Sequence, residues 1–315
     1  MNRSSHRWGW HRSLWRDVRF WRFFGQALAI VLLVLVVLLL LGNLNRNLQQ
    51  LGIRLGFSFL QSQAGFSIGD TSIPYQPADA YSRALLVGFV NSLRVIGLGI
   101  GLATAIGGIV GLARLSENWL VRQLALIYVE TLRNTPLLLQ LFFWYFAVFF
   151  SLPPSESPLV WLAGAISLSK SGATLFGWRV SAEFAALVLG LSLYTATFIA
   201  EIVRGGIESV PRGQTEAARS LGLKPAQTLR LVILPQALRA IVPPLANQYL
   251  NLAKNSSLAI AVGYPDLYAI ASTTFNQTGR AVEVMLLICA TYLALSLLIA
   301  GLMNFYNRSV QFVER

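Results

Sequence analysis

FFGQALAIVLLVLVVLLLLG, residues 23–42, holds one clearly polar side chain, Gln26. A helix rises about 1.5 Å per residue, so a stretch of this length reaches roughly 30 Å, the thickness of a bilayer's hydrocarbon core. The segment predicts a membrane-spanning helix and sets the solvent in which the rest of the chain is to be read. A cleavable signal peptide is the competing reading. Its apolar core would be shorter and would end at small residues, whereas Asn43-Leu44-Asn45-Arg46 follows here. We read 23–42 as an uncleaved, extra N-terminal transmembrane helix whose leading end lies in the cytoplasm.

Upstream, residues 1–22 read as a basic cytoplasmic tail, in which Arg3, Arg7, Arg12, Arg16, Arg19 and Arg22 are interleaved with Trp8, Trp10, Trp15 and Trp21. A formal net charge of +12 could suit nucleic acid. Basic and aromatic residues set directly beside a span are instead the signature of a cytoplasmic membrane interface, so lipid and no nucleic acid is the expected partner. Composition agrees: of 315 residues, 55% are hydrophobic and 12% charged, against about 25% charged in soluble proteins. The lone cysteine, Cys289, lies in the last apolar block, and the two histidines, His6 and His11, lie in the tail. Neither a disulfide framework nor a Cys-based metal site fits one chain so composed, and histidine catalysis in a cleft is not expected.

Downstream of the anchor, residues 43–83 read as an external loop, followed by spans at about 84–113, 124–150, 182–203, 236–262 and 283–306. The second span is rich in small residues (Gly97, Gly99, Gly101, Gly107, Gly108 and Gly111), which let membrane helices approach closely. In the third, Pro136 is expected to end a short interfacial turn and begin the apolar part. Residues 151–181 hold an apolar stretch, 158–168, too short to cross, and read as an external insertion lying on the membrane surface. Pro243-Pro244 and Lys254-Asn255-Ser256-Ser257 are expected to interrupt the fifth span. The fold class is therefore an all-α membrane protein of about six transmembrane helices with cytoplasmic N- and C-termini. Lys and Arg placement supports that topology: Arg114, Arg122, Arg204, Arg212, Arg219, Lys224, Arg230, Arg308 and Arg315 join the tail inside. Outside lie only Arg46, Arg54, Arg83, Lys170, Arg179 and Arg280, although those loops are longer. No internal repeat suggests the inverted architecture of many secondary transporters.

Function is written most plainly in the cytoplasmic segment 204–235, whose part QTEAARSLGLKPAQTLRLVILP covers residues 214–235. Glu216 favours the N-terminal end of a helix dipole, Ala217 and Ala218 are strong helix formers, Gly222 suits a left-handed C-terminal cap, and Pro225 bars simple continuation. A short, small-faced helix of this kind could lie in a groove of a partner protein, with Glu216 and Arg219 orienting it. An ordinary interfacial turn explains the pattern equally well on physical grounds alone.

The spacing of Glu216-Ala217-Ala218, Gly222 and Ile233-Leu234-Pro235 resembles the EAA motif of ABC importer permeases. The resemblance runs over about 88–310 and extends to YVETLRNTPLLLQLFFWYF at 128–146, TATFIAEIVRGGIESVPRGQTEAARSLG at 195–222 and LPQALRAIVPPLANQYLNLAKNSSLAIAVGYPDL at 234–267. It narrows to the polar amino-acid uptake group. Asn255, where many members carry Asp, the extra first span and the 151–181 insertion make it similar to the general L-amino-acid permease branch. The resemblance implies a type I importer permease fold, with 84–310 as the permease domain, in a bacterial cytoplasmic (inner) membrane. It also implies a docking face at Glu216, Ala217 and Ala218, with Gly222 as its turn, through which a dimer of ABC ATPase subunits acts. A second permease subunit, related but different, would complete the pathway, and a periplasmic or extracellular binding protein would deliver the amino-acid substrate. The chain carries no GxxxxGK[ST] phosphate loop, so ATP is expected to be used by the partner, with no cofactor here and no catalysis.

Charges in or near the spans refine this. Lys254 falls near the middle of the fifth span, where an unpaired Lys costs about 3 kcal/mol to insert. It is expected either to face the translocation route beside Asn255 and Ser256, meeting a substrate carboxylate, or to pair structurally, with Glu283 a candidate. Glu130 with Arg133 and Glu201 with Arg204 are i,i+3 pairs near cytoplasmic helix ends and read first as local neutralisation, with gating as the alternative. An ABC permease for another small polar solute, a secondary transporter or a channel are the competing functions; the EAA segment distinguishes the last two from an importer.

Overall fold

A computed structural model describes residues 18–50, 55–162 and 165–310. Residues 1–17 of the basic tail, with both histidines, and also Arg54 and Arg315, lie outside the described residues. The chain forms two units, Met1–Gly56 and Phe57–Arg315. In the first, helix α1 (Val18–Gln50) contains the predicted anchor and runs eight residues past it, because the Asn, Gln, Leu and Arg side chains of 43–50 do not break a helix. Its apolar side chains are exposed on every side, as expected of a helix whose solvent is lipid.

The second unit is mostly helical. Among the described residues the whole chain has five helices long and apolar enough to cross a membrane, and a bent pair that makes a sixth if counted as one span. After a 3-10 turn at Ser58–Gln61 come α2 (Tyr81–Arg114), α3 (Trp119–Arg133) and α4 (Leu137–Phe142), the last continuing through a π turn (Phe143–Val148) and a 3-10 turn (Phe149–Ser151). A four-stranded sheet precedes α5 (Ala182–Glu208). Then follow α6 (Arg212–Ser220) and α7 (Pro225–Thr228), a π turn (Leu229–Ile233), α8 (Leu234–Asn255) with a 3-10 end (Ser256–Val262), α9 (Leu267–Thr278) and α10 (Ala281–Val310).

The centre of this unit is the pairing of α2 with α5. A Cβ placed on Gly107 would stand 2.6 Å from Ile199 Cβ, and one on Gly111 2.8 Å from the Ala200 carbonyl oxygen. These glycines let the two backbones meet. Gly99 makes room for the Leu252 side chain of α8, but Gly97, Gly101 and Gly108 meet nothing within 4 Å. Packing within the chain thus explains only half of the glycines read as packing residues. Val95, Leu141, Leu187, Leu191, Val262 and Tyr264 fill the core beside this pair.

Two expectations need correction. The third span is no single helix with an interfacial turn: α3 is a full helix, and the following segment leaves it at 104°. Pro136 lacks an N–H and keeps Thr135 out of helical geometry. Buried Gln140 closes the corner, its Nε2 donating to the carbonyls of Leu132 at 2.7 Å and Thr135 at 3.0 Å. In the fifth span, Pro243 and Pro244 lie inside α8 without ending it, and Lys254 to Ser257 mark a tightening into 3-10 geometry rather than a break. Pro225–Val262 runs as one long helical stretch.

Segment 151–181, read as an external insertion, takes a form that the sequence did not specify. It folds as an antiparallel meander, β1 (Leu159–Trp161), β2 (Ile166–Ser169), β3 (Gly172–Leu175) and β4 (Trp178–Ser181), the exception in an otherwise helical chain. Pairs Ser169↔Gly172 and Leu175↔Trp178 bracket two-residue turns, Lys170-Ser171 and Phe176-Gly177. Both residues of the second turn have positive φ, 49° and 84°, the geometry that matches strand twist.

The glycine contacts predict an asymmetry. Gly107→Ala and Gly111→Ala should each lower stability by about 1–3 kcal/mol through overpacking, read as a lower melting temperature in detergent, while Gly97→Ala should leave it unchanged or raise it.

Candidate functional site

Helix α6 follows Pro211 and closes on a Schellman cap: the Gly222 N–H donates to the Arg219 carbonyl at 2.9 Å, and the Leu223 N–H to that of Ala218 at 3.2 Å. Gly222 has φ +78°, which a side chain would strain. Pro225 then opens α7 at its first position, where a missing N–H costs nothing. Because α6 begins at Arg212, Glu216 lies one turn inside it and not at the positive end of its dipole. Its carboxylate is exposed and has no partner among the described residues.

Of the three residues read as one docking face, the structure presents two outward. Glu216 and Ala217 are exposed, whereas Ala218 is 3% exposed and packs toward the π turn at Leu229–Ile233. A helix turns 100° per residue, so three consecutive side chains cannot share a face. Sequence reasoning missed the residue that completes the outer surface, Leu221, at 82% exposure. Behind α6 is a cavity of about 440 Å³ walled by Leu112 of α2 and Leu115 just past its end, Ile207 of α5, and Thr228 and Ile233.

The same end of α5 carries an ion-pair chain. Glu201 pairs with Arg204 at 3.0 Å, as its spacing suggested, and also meets Arg114 of α2 at 2.6 Å in a geometry too bent for a hydrogen bond. Arg204 extends to Glu208 at 2.6 Å. Arg114 and Glu208 were not foreseen, the first because it lies far away in sequence. Glu130 and Arg133 do not pair among the described residues: Asn134 Nδ2 donates to Glu130 Oε2 at 3.2 Å, and the Arg133 guanidinium stacks 5.3 Å above the Phe198 ring.

On α8, Asn247, Asn251 and Lys254 are exposed at i, i+4 and i+7, a polar stripe on one face of a spanning helix. The Lys254 ammonium has no ion pair among the described residues. Glu283 is not its partner, since it pairs with Arg280 at 3.1 Å at the start of α10. Asn255 is half-buried, and Ser256 is buried with its hydroxyl donating to the Ala253 carbonyl at 2.8 Å, so Ser256 does not share the open face.

The opposite end of the unit holds a polar network that the sequence reading passed over. Asn91 Nδ2 donates to the carbonyls of Asp70 at 2.8 Å and Pro265 at 2.9 Å, and its Oδ1 accepts from Ser72 at 2.7 Å, tying the 57–80 loop to α2 and to the turn before α9. Arg94 pairs with Asp70 at 3.5 Å. The signal was present, because Asn and Arg inside an apolar span demand partners. Asp266, fully buried and outside the spanning helices, caps α9 by accepting from the Ala269 N–H at 2.8 Å, and Tyr292 donates to it at 3.3 Å. Burial pushes its carboxyl up to about 7. A cavity of about 510 Å³ opens beside this network, lined by Asp70, Ser181, Glu183, Gly263 and Thr273.

Residues 97–312 match the family described as binding-protein-dependent transport system inner membrane component. The chain is 43% identical to the putative amino-acid ABC transporter permease protein YhdX of Escherichia coli K12, across 95% of each chain. It is 40% identical to the general L-amino acid transport system permease protein AapQ of Rhizobium johnstonii, across 98% of this chain and 96% of that one. A solved structure described as an amino acid ABC transporter with histidines is 29% identical, with a TM-score of 0.58 over 73% of this chain and 95% of that one.

The buried cap gives a second test. Asp266→Ala should cost about 1–2 kcal/mol by removing the N-cap, whereas Asp266→Asn, which caps equally well, should be nearly neutral. Thermal melts of both variants in detergent measure the difference.

Proposed function

Since the chain belongs to the family of binding-protein-dependent transport inner membrane components, we propose that it forms half of an amino-acid pathway driven by an ATPase subunit docked on α6. It is the permease component of an ABC amino-acid importer, a multi-pass protein of the bacterial inner membrane, and it catalyses no reaction itself. An ATPase and a binding protein are its partners. The docking assignment is carried by one observation: α6, capped at Gly222, presents the side chains of Glu216, Ala217 and Leu221 to solvent with no side-chain partner among the described residues.

In this reading a binding protein delivers an amino acid at the end opposite α6. ATP-driven closure of two ATPase subunits then displaces α6, and through Ala218 and the helices behind it the movement reaches α5 and α2. The Arg114–Glu201–Arg204–Glu208 chain stands where that movement enters the spans, which favours a part in gating over local neutralisation alone. The polar stripe of Asn247, Asn251 and Lys254, with half-buried Asn255 beside it, would line the route, and the Lys254 ammonium would meet the substrate carboxylate. A second, related permease subunit would close the route from the other side. The unfilled Gly97 and Gly101, four residues apart on α2, support a close helix contact with it. Residues 84–310 would carry this permease function, with the basic tail, α1, which takes in residues 43–50 of the segment read as a loop, the rest of that segment to 83 and the 151–181 sheet as additions. General L-amino acids, polar ones included, are the substrate class, consistent with AapQ and YhdX matching over nearly the whole chain.

Two variants test the assignment. Glu216→Lys and Leu221→Asp should each weaken co-purification of the ATPase about tenfold or more, the effect of losing at least 1.4 kcal/mol at an interface anchor; undiminished ATPase recovery would count against docking at α6. Lys254→Met should abolish uptake in vesicles while the complex assembles normally, and normal uptake would remove Lys254 from the route.

A further inference from the structure

The sheet between the third and fourth spans is amphipathic from end to end. Its root is polar and tied to the helices: the Lys170 N–H donates to the Pro153 carbonyl at 2.9 Å, Ser155 donates to Ser171 at 2.8 Å, and the Ala182 N–H reaches the Ser171 carbonyl at 3.3 Å. The registers Trp161↔Ile166, Ile166↔Leu175 and Leu175↔Trp178 place Leu162 and the Phe176-Gly177 turn together at the far end. There Trp161 is 51% exposed, Leu162 68%, Phe176 74% and Trp178 78%.

Backbone geometry says that two of these side chains are held out at a cost. Leu162 and Phe176 are the non-glycine residues with positive φ among the described residues, 52° and 49°. At such turns Asn or Gly would be free of strain, so a bulky apolar side chain kept there points to a use for the side chain itself.

What covers this tip follows from where its root stands. The 27-residue helix α5, about 40 Å long, separates the sheet from α6, so the sheet leaves the membrane on the side opposite the coupling helix. On the preceding span Leu139, Phe143, Phe146 and Phe150 are exposed at i, i+4, i+7 and i+11, an apolar stripe along a membrane-crossing segment. The Lys170 ammonium at the sheet's root lies 6.0 Å from the Phe150 ring, so the sheet continues that lipid-exposed surface at its outer end. Arg179 is the one charged residue in the β3–β4 hairpin, and a side chain of its length can keep its head in water while its stem lies along lipid. Tryptophan favours this boundary, where an apolar ring meets polar headgroups.

We propose that the sheet is a lipid anchor: its tip, Trp161, Leu162, Phe176 and Trp178, inserts into the headgroup and upper acyl region of the leaflet opposite α6. It fixes the outer ends of the third and fourth spans against the bilayer while the inner ends move.

The test uses the full-length chain, co-purified with its native partner subunits, in nanodiscs of phosphatidylethanolamine and phosphatidylglycerol. With Cys289→Ser removing the lone native thiol, a nitroxide is placed at Phe176→Cys, and, as a control at the polar root, at Glu156→Cys. Oxygen should relax the label at 176 several-fold more than a water-soluble nickel chelate does, and the order should reverse at 156. Free access of the nickel chelate to position 176 would overturn the proposal, as would protection that appears only when the soluble binding protein is added. An unlabelled variant guards against misfolding: Trp178→Phe should reduce the fraction of fluorescence quenched by brominated lipid, and an unchanged or larger quenched fraction would contradict insertion.

Discussion

No water is available in the hydrocarbon core to bond a bare N–H or C=O, so a chain that crosses it must satisfy its backbone from within. Each departure from straight helix in this protein can be read against that demand. At the Thr135-Pro136 corner, buried Gln140 supplies the donors that the carbonyls of α3 have lost. At the start of α9, Asp266 takes up an N–H of the first turn, and Ser92 accepts from the Leu267 N–H at 3.0 Å. Among the described residues, the sheet of β1 to β4 lies between the ends of two spans and not within either.

Satisfying the backbone in this way leaves the side chains to decide how the helices meet. Gly107 and Gly111 bring α2 and α5 close enough that a single added methyl would clash with Ile199 or with the Ala200 carbonyl. Arg114 and Glu201 bridge the same two helices nearby, where α5 runs on toward α6. In the proposed coupling, a displacement of α6 would thereby be passed to a closely packed pair of helices. This is the physical content of a permease that takes energy from another protein: it needs a docking surface, a stiff connection and a polar face inside the membrane.

Much of this was legible in the sequence because it rests on local rules. Block length gave the spans, and Gly222 followed by Pro225 marked the end of α6. Illegible features depended on contacts between distant residues or on exceptions to local preference. Phe176-Gly177 hid a hairpin, since Phe is an unusual occupant of a position with φ of 49°. Ala217 and Ala218 look alike in sequence, and only the packing of α6 turns one outward and the other inward. Pro243 and Pro244 suggested a break that α8 does not make, because tertiary packing of a spanning helix outweighs the loss of two donors. Asn91 and Arg94 carried a signal that intramembrane polarity should have raised, and their partner Asp70 sits in a loop that seemed featureless.

Energy entering at α6 is the claim on which the functional reading turns. The most direct measurement replaces Leu221 by a photo-crosslinking amino acid in the complete transporter and identifies the adduct, with Arg122 at the start of α3 as a cytoplasmic comparison site. The docking arrangement predicts that position 221 couples to the ATPase subunit with high yield and that the yield changes when ATP is bound. Crosslinking at 122 but none at 221 would show that the ATPase engages another surface of this chain.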